Sequence, residues 1–133
     1  MLDSKNIFFK KRILIYGLGK SGLSAYRLLK KKNQIFLYDD KKIVSNDLKI
    51  NKDIKSYKEI VKNKIDYIII SPGIDIKKCK LSKLLKNSSK KIYTDLDIFF
   101  SLYNKNKNIT ITGTNGKSTT AKILYEVIKM QKI

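Results

Sequence analysis

The chain has 133 residues, which is room for one ordinary domain with some sequence left over, and its 42% hydrophobic content is enough for a packed core. It has one cysteine and no histidine, which excludes an internal disulfide, a histidine-based zinc site and a serine–histidine triad within this chain. The formal net charge is +19, and nearly all of the basic residues are lysines spread along the whole chain.

This charge suggests nucleic-acid binding, but the composition disfavours that interpretation. Only Arg12 and Arg27 supply the guanidinium fork that proteins use to read phosphates and bases. Lysine, isoleucine, asparagine and tyrosine are all encoded by A/T-rich codons, so a biased genome explains the lysine content more simply. We therefore expect no nucleic-acid partner.

No apolar run approaches the roughly 18 residues that a membrane span needs. The first 12 residues mix charged with apolar side chains and contain no small-residue cleavage site, so they do not resemble a secretory signal. The single cysteine, Cys79, fits a reducing compartment. We expect a cytoplasmic monomer without a membrane span.

The first half of the chain alternates short apolar runs with helical patterns. Residues 12–16 and 34–38 predict buried strands on either side of a helix over about 21–32. Residues 41–55 are polar and poorly periodic, which predicts a loop with a short strand near 48–50. Ser56 and Glu59 then form a capping-box pattern that begins a helix, and residues 65–70 predict the next strand.

The second half continues the alternation. A helix is expected around residues 81–85, followed by a strand over 91–93 and another over 108–112. Between the last two lies an apolar stripe at helical spacing, which we expect to pack in the core: Leu96, Phe99, Phe100 and Tyr103. A final helix over 117–131 has the spacing to bury one side, formed by Ala121, Leu124, Val127, Ile128 and Gln131. The pattern predicts an α/β fold, with a Rossmann-like parallel sheet and helices on both faces.

The strongest chemical motif comes directly after the last predicted strand. It comprises Gly113, Thr114, Asn115, Gly116, Lys117, Ser118 and Thr119. A strand, a glycine turn and a helix N-terminus together present backbone N–H groups to an anion. Lys117 would reach the β- and γ-phosphates of ATP, and the Ser118 hydroxyl would be a ligand of Mg²⁺. The pattern departs from the general Walker A motif, because Ile111 stands where the first glycine would be.

A weaker motif follows the first predicted strand, where Gly17, Gly19 and Gly22 have the spacing of a dinucleotide-binding turn. Asp39 closes the second strand, near the place where an acid would bind a ribose, and Asp40 could equally cap a helix or a turn. On this motif alone, an NAD(P) site and a tight strand-to-helix turn without a ligand are about equally favoured. Residues 71–73, Ser-Pro-Gly, lie at the carboxyl end of a central strand, where open α/β sheets bind ligands, but by themselves they predict only a turn.

Taken together, four motifs resemble those of the Mur ligase family. They are residues 17–22, Asp39, residues 71–74 and residues 112–119. A phosphate loop that departs from the Walker A pattern in this way is typical of the family, and the matches run from about residue 12 to the C-terminus. An opening glycine turn combined with Asn115 resembles the member that adds D-glutamate to UDP-N-acetylmuramoyl-L-alanine. Sister ligases have histidine at this loop position or do not open on such a turn.

The resemblance implies specific roles for the site residues. Lys20 and Ser21 would face the diphosphate of the UDP-sugar and Asp39 its uracil, with Asp40 beside it, while Ser71 and Gly73 would line the same cleft. ATP, bound with Mg²⁺ at residues 113–119, would phosphorylate the alanyl carboxylate, and D-glutamate would attack the acyl phosphate. Lys117 would be the catalytic residue, because it would stabilise charge on the transferring phosphoryl group.

The resemblance also implies two domains within this chain. Residues 1–95 would form the UDP-sugar-binding domain, and residues 96–133 would begin the central ATP-binding domain, incomplete here, so we expect the chain alone to be inactive as a ligase. The alternative is an NAD(P)-binding oxidoreductase or nucleotide-binding module, which would explain the first glycine motif and leave the phosphate loop without a purpose.

Overall fold

The computed structural model describes residues 5–41 and 48–131. Its strands are β1 (Arg12–Tyr16), β2 (Gln34–Tyr38), β3 (Tyr67–Ile70) and β4 (Ile92–Tyr93). Its helices are α1 (Lys20–Leu29), α2 (Leu48–Asp53), α3 (Tyr57–Lys62), α4 (Ser82–Asn87), α5 (Asp95–Leu102) and α6 (Lys117–Met130). Short 3-10 turns follow α1 at Lys30–Lys32 and α4 at Ser89–Lys91.

The four strands form one parallel sheet in the order β2-β1-β3-β4. Ile15 in the central strand β1 lies opposite Leu37 in β2 and Ile69 in β3. At the outer edge of β2, the N–H of Lys55 donates to the carbonyl of Leu37 at 2.9 Å, and Ile54 forms a single bridge with Leu37. The opposite edge is formed by β4, which is only two residues long.

Helices cover both faces of this sheet, as the alternating pattern predicts. On one face, side chains from β1, β2 and β3 pack against α1, α2 and α5, and the core there includes Ala25, Ile50 and Ile98. On the other face, the alternate strand residues pack against α3 and α4, with Ile60 and Leu85 in the core. Burial of both faces explains why the strands are almost continuously apolar.

Two capping boxes determine where α3 and α5 begin. Ser56 accepts a hydrogen bond from the N–H of Glu59, and the Glu59 carboxylate accepts the N–H of Ser56 at 2.8 Å, which confirms the predicted start of α3. Thr94 and Asp97 make the same reciprocal pair at the start of α5. Each pair satisfies amides that have no partner within the helix.

The prediction of a strand near residues 48–50 is wrong, since these residues begin α2. Ile50 is buried against the α1 face of the sheet, so its burial comes from a short helix that packs on the core. Part of the predicted loop, residues 42–47, lies outside the described residues.

The apolar stripe at residues 96–103 does not pack in the core as predicted. Leu96 is 62% exposed and Phe99 45%, whereas Ile98, which the stripe did not include, is 2% exposed. The physical reason is the orientation of α5, which turns Ile98 and Leu102 toward α1 and the sheet. Phe99 instead contacts Phe100 and Tyr103 along the outer surface of the helix.

The last segment also differs from the sequence prediction. Residues 108–112 form no strand, because within the described residues their backbone pairs with none of the four strands of the sheet. Helix α6 forms as predicted, but none of its described residues is buried, so the expected packing of its apolar side is not present. The phosphate-loop segment therefore lacks the strand that was expected to support it.

Candidate functional site

A cleft of about 440 Å³ lies at the carboxyl ends of β1, β2 and β3. The sheet order places it where the chain leaves β1 toward β2 on one side and β3 toward β4 on the other, the usual ligand position in open parallel sheets. Its lining consists of Gly17, Gly19, Lys20, Ser21, Asp39, Lys41, Ser71, Pro72, Gly73 and Ile74. Five of the six predicted substrate contacts are in this lining: Lys20, Ser21, Asp39, Ser71 and Gly73.

The floor of the cleft is a glycine turn fixed by contacts with Ser71. Gly17 has a φ of +92°, and a Cβ added there would lie 2.7 Å from Cβ of Ser71. At Gly22 an added Cβ would lie 1.9 Å from the carbonyl oxygen of Gly17. The Ser71 hydroxyl donates to that same carbonyl at 2.8 Å. Two of the three glycines are therefore required by packing within the protein.

Packing within the protein does not require glycine at the middle position, Gly19. Gly19 has an ordinary extended backbone, with φ of −71°, and an added Cβ would meet no atom within 4 Å. It is exposed and lines the cleft, whereas Gly17 and Gly22 are buried. An open glycine at this position allows a ligand to approach the backbone closely.

Helix α1 begins at the same place and favours an anion. Gly19 is its N-cap residue, no side chain caps it, and its first turn contains no acidic residue. Backbone N–H groups and the helix dipole create positive potential at such an end. The side chains of Lys20 and Lys41 add two cations to the cleft lining.

Asp39 connects the two sides of the cleft. One carboxylate oxygen accepts the N–H of Leu18 in the glycine turn at 2.7 Å, and the other accepts the N–H of Lys41 at 2.9 Å. A carboxylate offers about four acceptor positions, so these two bonds leave capacity for a donor on a ligand. Asp39 thus holds the glycine turn and also lines the cleft.

Asp40, the sixth predicted contact, is directed elsewhere. Its Oδ1 accepts the hydroxyl of Tyr16 at 2.6 Å, and its Oδ2 accepts the N–H of Lys80 at 3.2 Å. Tyr16 is fully buried, and burial, with the hydrogen bond to Asp40 as the next cause, raises its pKa well above the usual range. The Tyr16 hydroxyl therefore remains a donor at all ordinary pH values.

Tyr16 and Lys80 were not among the predicted site residues. Periodicity identifies Tyr16 only as the last residue of a buried strand. The available signal was its chemistry, because a buried tyrosine hydroxyl usually finds a hydrogen-bond partner. For Lys80, one of many lysines, the sequence contains no distinguishing signal.

The predicted phosphate loop has the backbone of an anion-binding turn but lies at the surface. Gly113 and Gly116 have φ of +148° and +78°, and α6 begins at Lys117 with no side-chain cap. The ammonium of Lys117 donates to the carbonyl oxygens of Gly113 and Thr114. Residues 112–119 are all exposed, which agrees with the lack of a supporting strand.

The loop fits the phosphates of a nucleotide better than it fits a metal ion alone. Glycines at two positive-φ positions, an uncapped helix N-terminus and Lys117 are a donor set for phosphate oxygens. For Mg²⁺ the loop offers the exposed hydroxyl of Ser118, and the described residues contain no cluster of three acidic, cysteine or histidine side chains.

Comparison with known proteins identifies the class to which this fold and cleft correspond. Residues 11–92 match the family model described as Mur ligase MurD-like, N-terminal domain, and the chain belongs to this family. The match covers β1 to β3, the first residue of β4 and the whole cleft lining, and it ends before α5. No solved structure matches the chain.

Curated relatives give a more specific comparison. The chain is 34% identical to the UDP-N-acetylmuramoylalanine--D-glutamate ligase of Rickettsia prowazekii over 92% of this chain, and 35% identical to that of Rickettsia felis, also over 92%. It is 34% identical to the ligase of the same name from Lachnospira eligens over 96% of this chain. The chain spans about 28% of the length of the two Rickettsia relatives. None of the described helices has the length and apolar character needed to cross a bilayer.

Proposed function

We propose that this chain is the UDP-sugar-binding part, with an ATP phosphate loop, of a ligase that joins D-glutamate to UDP-N-acetylmuramoyl-L-alanine. One observation carries the proposal. The open Gly19 and the uncapped start of α1 face a cleft with two lysines, in a chain that belongs to the Mur ligase family. The relatives that match nearly the whole chain are named for this reaction.

Each element of the cleft has a role in binding the UDP-sugar. Its diphosphate would lie at the N-terminus of α1, bound by backbone N–H groups and the side chains of Lys20 and Ser21. Asp39 would accept an N–H of the uracil with its remaining acceptor capacity. Ser71 and Gly73 would form the opposite wall of the cleft.

The phosphate loop would hold the second nucleotide. When bound, ATP supplies the phosphoryl group that activates the alanyl carboxylate for attack by the amine of D-glutamate. The N–H groups of residues 113–119 would cradle the phosphates, and Lys117 would turn from its loop carbonyls to the transferring phosphoryl group. Ser118 would orient Mg²⁺ with its hydroxyl.

We propose that the chain by itself binds the UDP-sugar but does not form the D-glutamyl product. The cleft lies at the ends of strands whose residues are mostly buried, whereas the phosphate loop is exposed and α6 has no buried residue among those described. Phosphoryl transfer requires the reacting atoms to be held about 3–3.5 Å apart in an aligned geometry, and a misplacement of about 1 Å can cost on the order of 10²-fold in rate. An exposed loop does not fix that geometry.

A titration separates this function from the NAD(P)-binding alternative. UDP-N-acetylmuramoyl-L-alanine and NADH are each titrated into the 133-residue protein by calorimetry, and we expect saturable heat from the first alone. Binding of NADH in preference to the UDP-sugar would support the alternative.

Gly19→Ala provides the matched variant for that titration. Its added methyl group has room in the folded protein, so stability should stay within about 0.5 kcal/mol of wild type. The same methyl group projects where the diphosphate is proposed to approach, and the affinity for the UDP-sugar should fall at least tenfold. Unchanged affinity in Gly19→Ala would contradict the proposed position of the diphosphate.

A further inference from the structure

The sequence places two adjacent carboxylates after β2, and the structure gives them different surroundings. Asp39 lines the cleft and accepts the N–H of Leu18. Asp40 points to the other side of the chain, where it contacts Tyr16 and Lys80. Residues 40 and 41 form a bend just after β2, and the two carboxylates turn to different partners there.

Three contacts hold Asp40 in place, one from Tyr16 and two from Lys80. The Tyr16 hydroxyl, at the end of β1, donates to its carboxylate at 2.6 Å. The Lys80 backbone, just before α4, donates to the other carboxylate oxygen, and the Lys80 ammonium donates to the Asp40 carbonyl at 2.8 Å. Tyr16 cannot move independently, because it is fully buried and paired with both neighbouring strands.

The hydrogen bond from the buried Tyr16 therefore connects the backbone at Asp39 and Asp40 to the core. We propose that Asp40 is a positioning residue for ligand binding: held by Tyr16 and Lys80, it fixes the turn at residues 39–41 so that Asp39 and Lys41 present their groups to the cleft. It acts through these neighbours and does not itself touch the ligand. This inference rests on the proposed UDP-sugar function of the cleft.

The assignment changes the role expected for Asp40 from the family resemblance. If Asp40 contacted the ligand, only substitution of Asp40 itself would weaken binding of the UDP-sugar. If Asp40 is a positioning residue, removing its protein partners also weakens binding, even though the Asp40 carboxylate is unchanged. Tyr16→Phe makes this separation, because it deletes only the hydroxyl that donates to Asp40.

The chain contains a matched control for that variant. Tyr26 is also a buried tyrosine whose hydroxyl donates to a carboxylate, that of Asp53, at 2.7 Å. It connects α1 to α2, and neither residue is in the cleft lining. Tyr26→Phe therefore removes a buried hydroxyl that donates to a carboxylate, together with the Lys30 contact to that hydroxyl, at a place away from the turn at residues 39–41.

The test measures binding of UDP-N-acetylmuramoyl-L-alanine to the 133-residue wild type, Tyr16→Phe, Asp40→Ala and Tyr26→Phe. We expect at least fivefold weaker binding in Tyr16→Phe and Asp40→Ala, and affinity within twofold of wild type in Tyr26→Phe. Asp40→Asn should weaken binding less than Asp40→Ala. Its amide oxygen can still accept the Tyr16 hydroxyl, whereas its NH₂ group cannot accept the N–H of Lys80.

A ligand-independent measurement accompanies the titration. The amide resonances of Leu18 and Lys41, both donors to Asp39, should shift in the nitrogen–proton NMR spectra of Tyr16→Phe and Asp40→Ala and stay in place in Tyr26→Phe. If Asp40→Ala does not fold, Tyr16→Phe and Lys80→Ala supply the same comparison.

The outcomes are distinct. Wild-type binding with unchanged affinity and unshifted resonances in Tyr16→Phe would overturn the positioning role and leave the proposed function intact. Equal weakening in Tyr26→Phe would also overturn it, since the loss would then reflect general destabilisation. If the wild type itself does not bind the UDP-sugar, the proposed function fails and this inference fails with it.

Discussion

The glycines at residues 17–22 have two different kinds of constraint. Gly22 has no room for a side chain, because a carbonyl oxygen of the backbone occupies the position that a Cβ would take. At Gly19 an added Cβ would meet no protein atom within 4 Å. Gly22 is therefore constrained by packing in the folded protein, whereas for Gly19 we propose that the constraint comes from the ligand in the cleft.

Gly22→Ala should therefore destabilise the fold strongly. An added Cβ at 1.9 Å from the Gly17 carbonyl forces the turn or α1 to move, so we expect a loss on the order of 3 kcal/mol, near the upper end for single substitutions. Urea unfolding followed by circular dichroism measures it, with Gly19→Ala as the control of equal chemical change. Equal stability of the two variants would contradict the packing described for the turn.

Asp66 is a second residue whose effect can be measured, here through pH. Its carboxylate accepts the backbone N–H of Arg12 at 2.9 Å, and this bond, with the Arg12 guanidinium beside it, lowers the pKa of Asp66. A lowered folded-state pKa means that the stabilisation is present above the unfolded pKa of about 4 and is lost as pH falls through the folded value.

Asp66→Asn should lower the free energy of unfolding by about 1 kcal/mol near pH 7, the usual size for a hydrogen bond to a charged group that is partly exposed. The difference from wild type should shrink as pH falls below about 4 and vanish once pH has passed through the lowered folded-state pKa, because Asp66 is then protonated. Urea unfolding at pH 7, 5 and 3 gives the comparison. A difference that stays constant over this range would mean that ionisation of Asp66 contributes nothing.

At the scale of elements, α5 shows how one helix can have two apolar sides of which only one is covered. Ile98 contacts the core and is 2% exposed, whereas Phe99 is 45% exposed. Apolar spacing identifies that a helix forms, but it does not tell which side meets the sheet when apolar residues occupy both.

Ile98→Ala and Phe99→Ala should consequently have unequal effects. We expect Ile98→Ala to cost about 2–4 kcal/mol through lost burial and a residual cavity, and Phe99→Ala about 1 kcal/mol or less. Thermal or urea unfolding of both variants gives the comparison, and the larger aromatic truncation serves as the internal control. A larger loss of unfolding free energy in Phe99→Ala than in Ile98→Ala would mean that the predicted stripe, which contains Phe99, is the buried side of α5.

The elements that the sequence predicted correctly share a local cause. The four strands of the sheet are short apolar runs bounded by polar residues, and α3 begins at the capping box of Ser56 and Glu59. The errors concern tertiary contacts. Residues 108–112 have strand-like composition, but a strand needs a neighbouring strand to pair with, and none of the four described strands pairs with them. Residues 48–50 belong to a short helix, whose Ile50 packs on the sheet.

The candidate site divides in the same way. The family resemblance, and not the glycine spacing or residues 71–73 alone, implied a shared cleft, and the ends of parallel strands do meet at one edge of the sheet. The sequence did not indicate that Asp40 would face away from the cleft, because the bend that follows β2 sets the directions of Asp39 and Asp40. The contact of Lys80 with Asp40 depends on the path of the chain before α4, which no local pattern indicates.

At the scale of the whole molecule, the net charge of +19 should affect stability even though it carries no evidence of function. Like charges repel more strongly in the compact state, and salt screens them over about 10 Å at 0.1 M. We expect the thermal unfolding midpoint to rise by several degrees when NaCl is increased from 10 to 300 mM.

Sodium acetate at the same ionic strength is the control, because general screening should give the same rise with either anion. A rise with only one of the two salts would indicate a specific anion site, and a fall would show that favourable ion pairs outweigh the repulsion.

The two ends of the sheet have a consequence for contacts between chains. An exposed strand edge offers unpaired N–H and C=O groups to which a foreign strand can add. Here the edge formed by β2 is partly occupied by the bridge to Ile54 and the N–H of Lys55, and the edge formed by β4 extends over two residues only. The sheet therefore presents little template for intermolecular β-pairing.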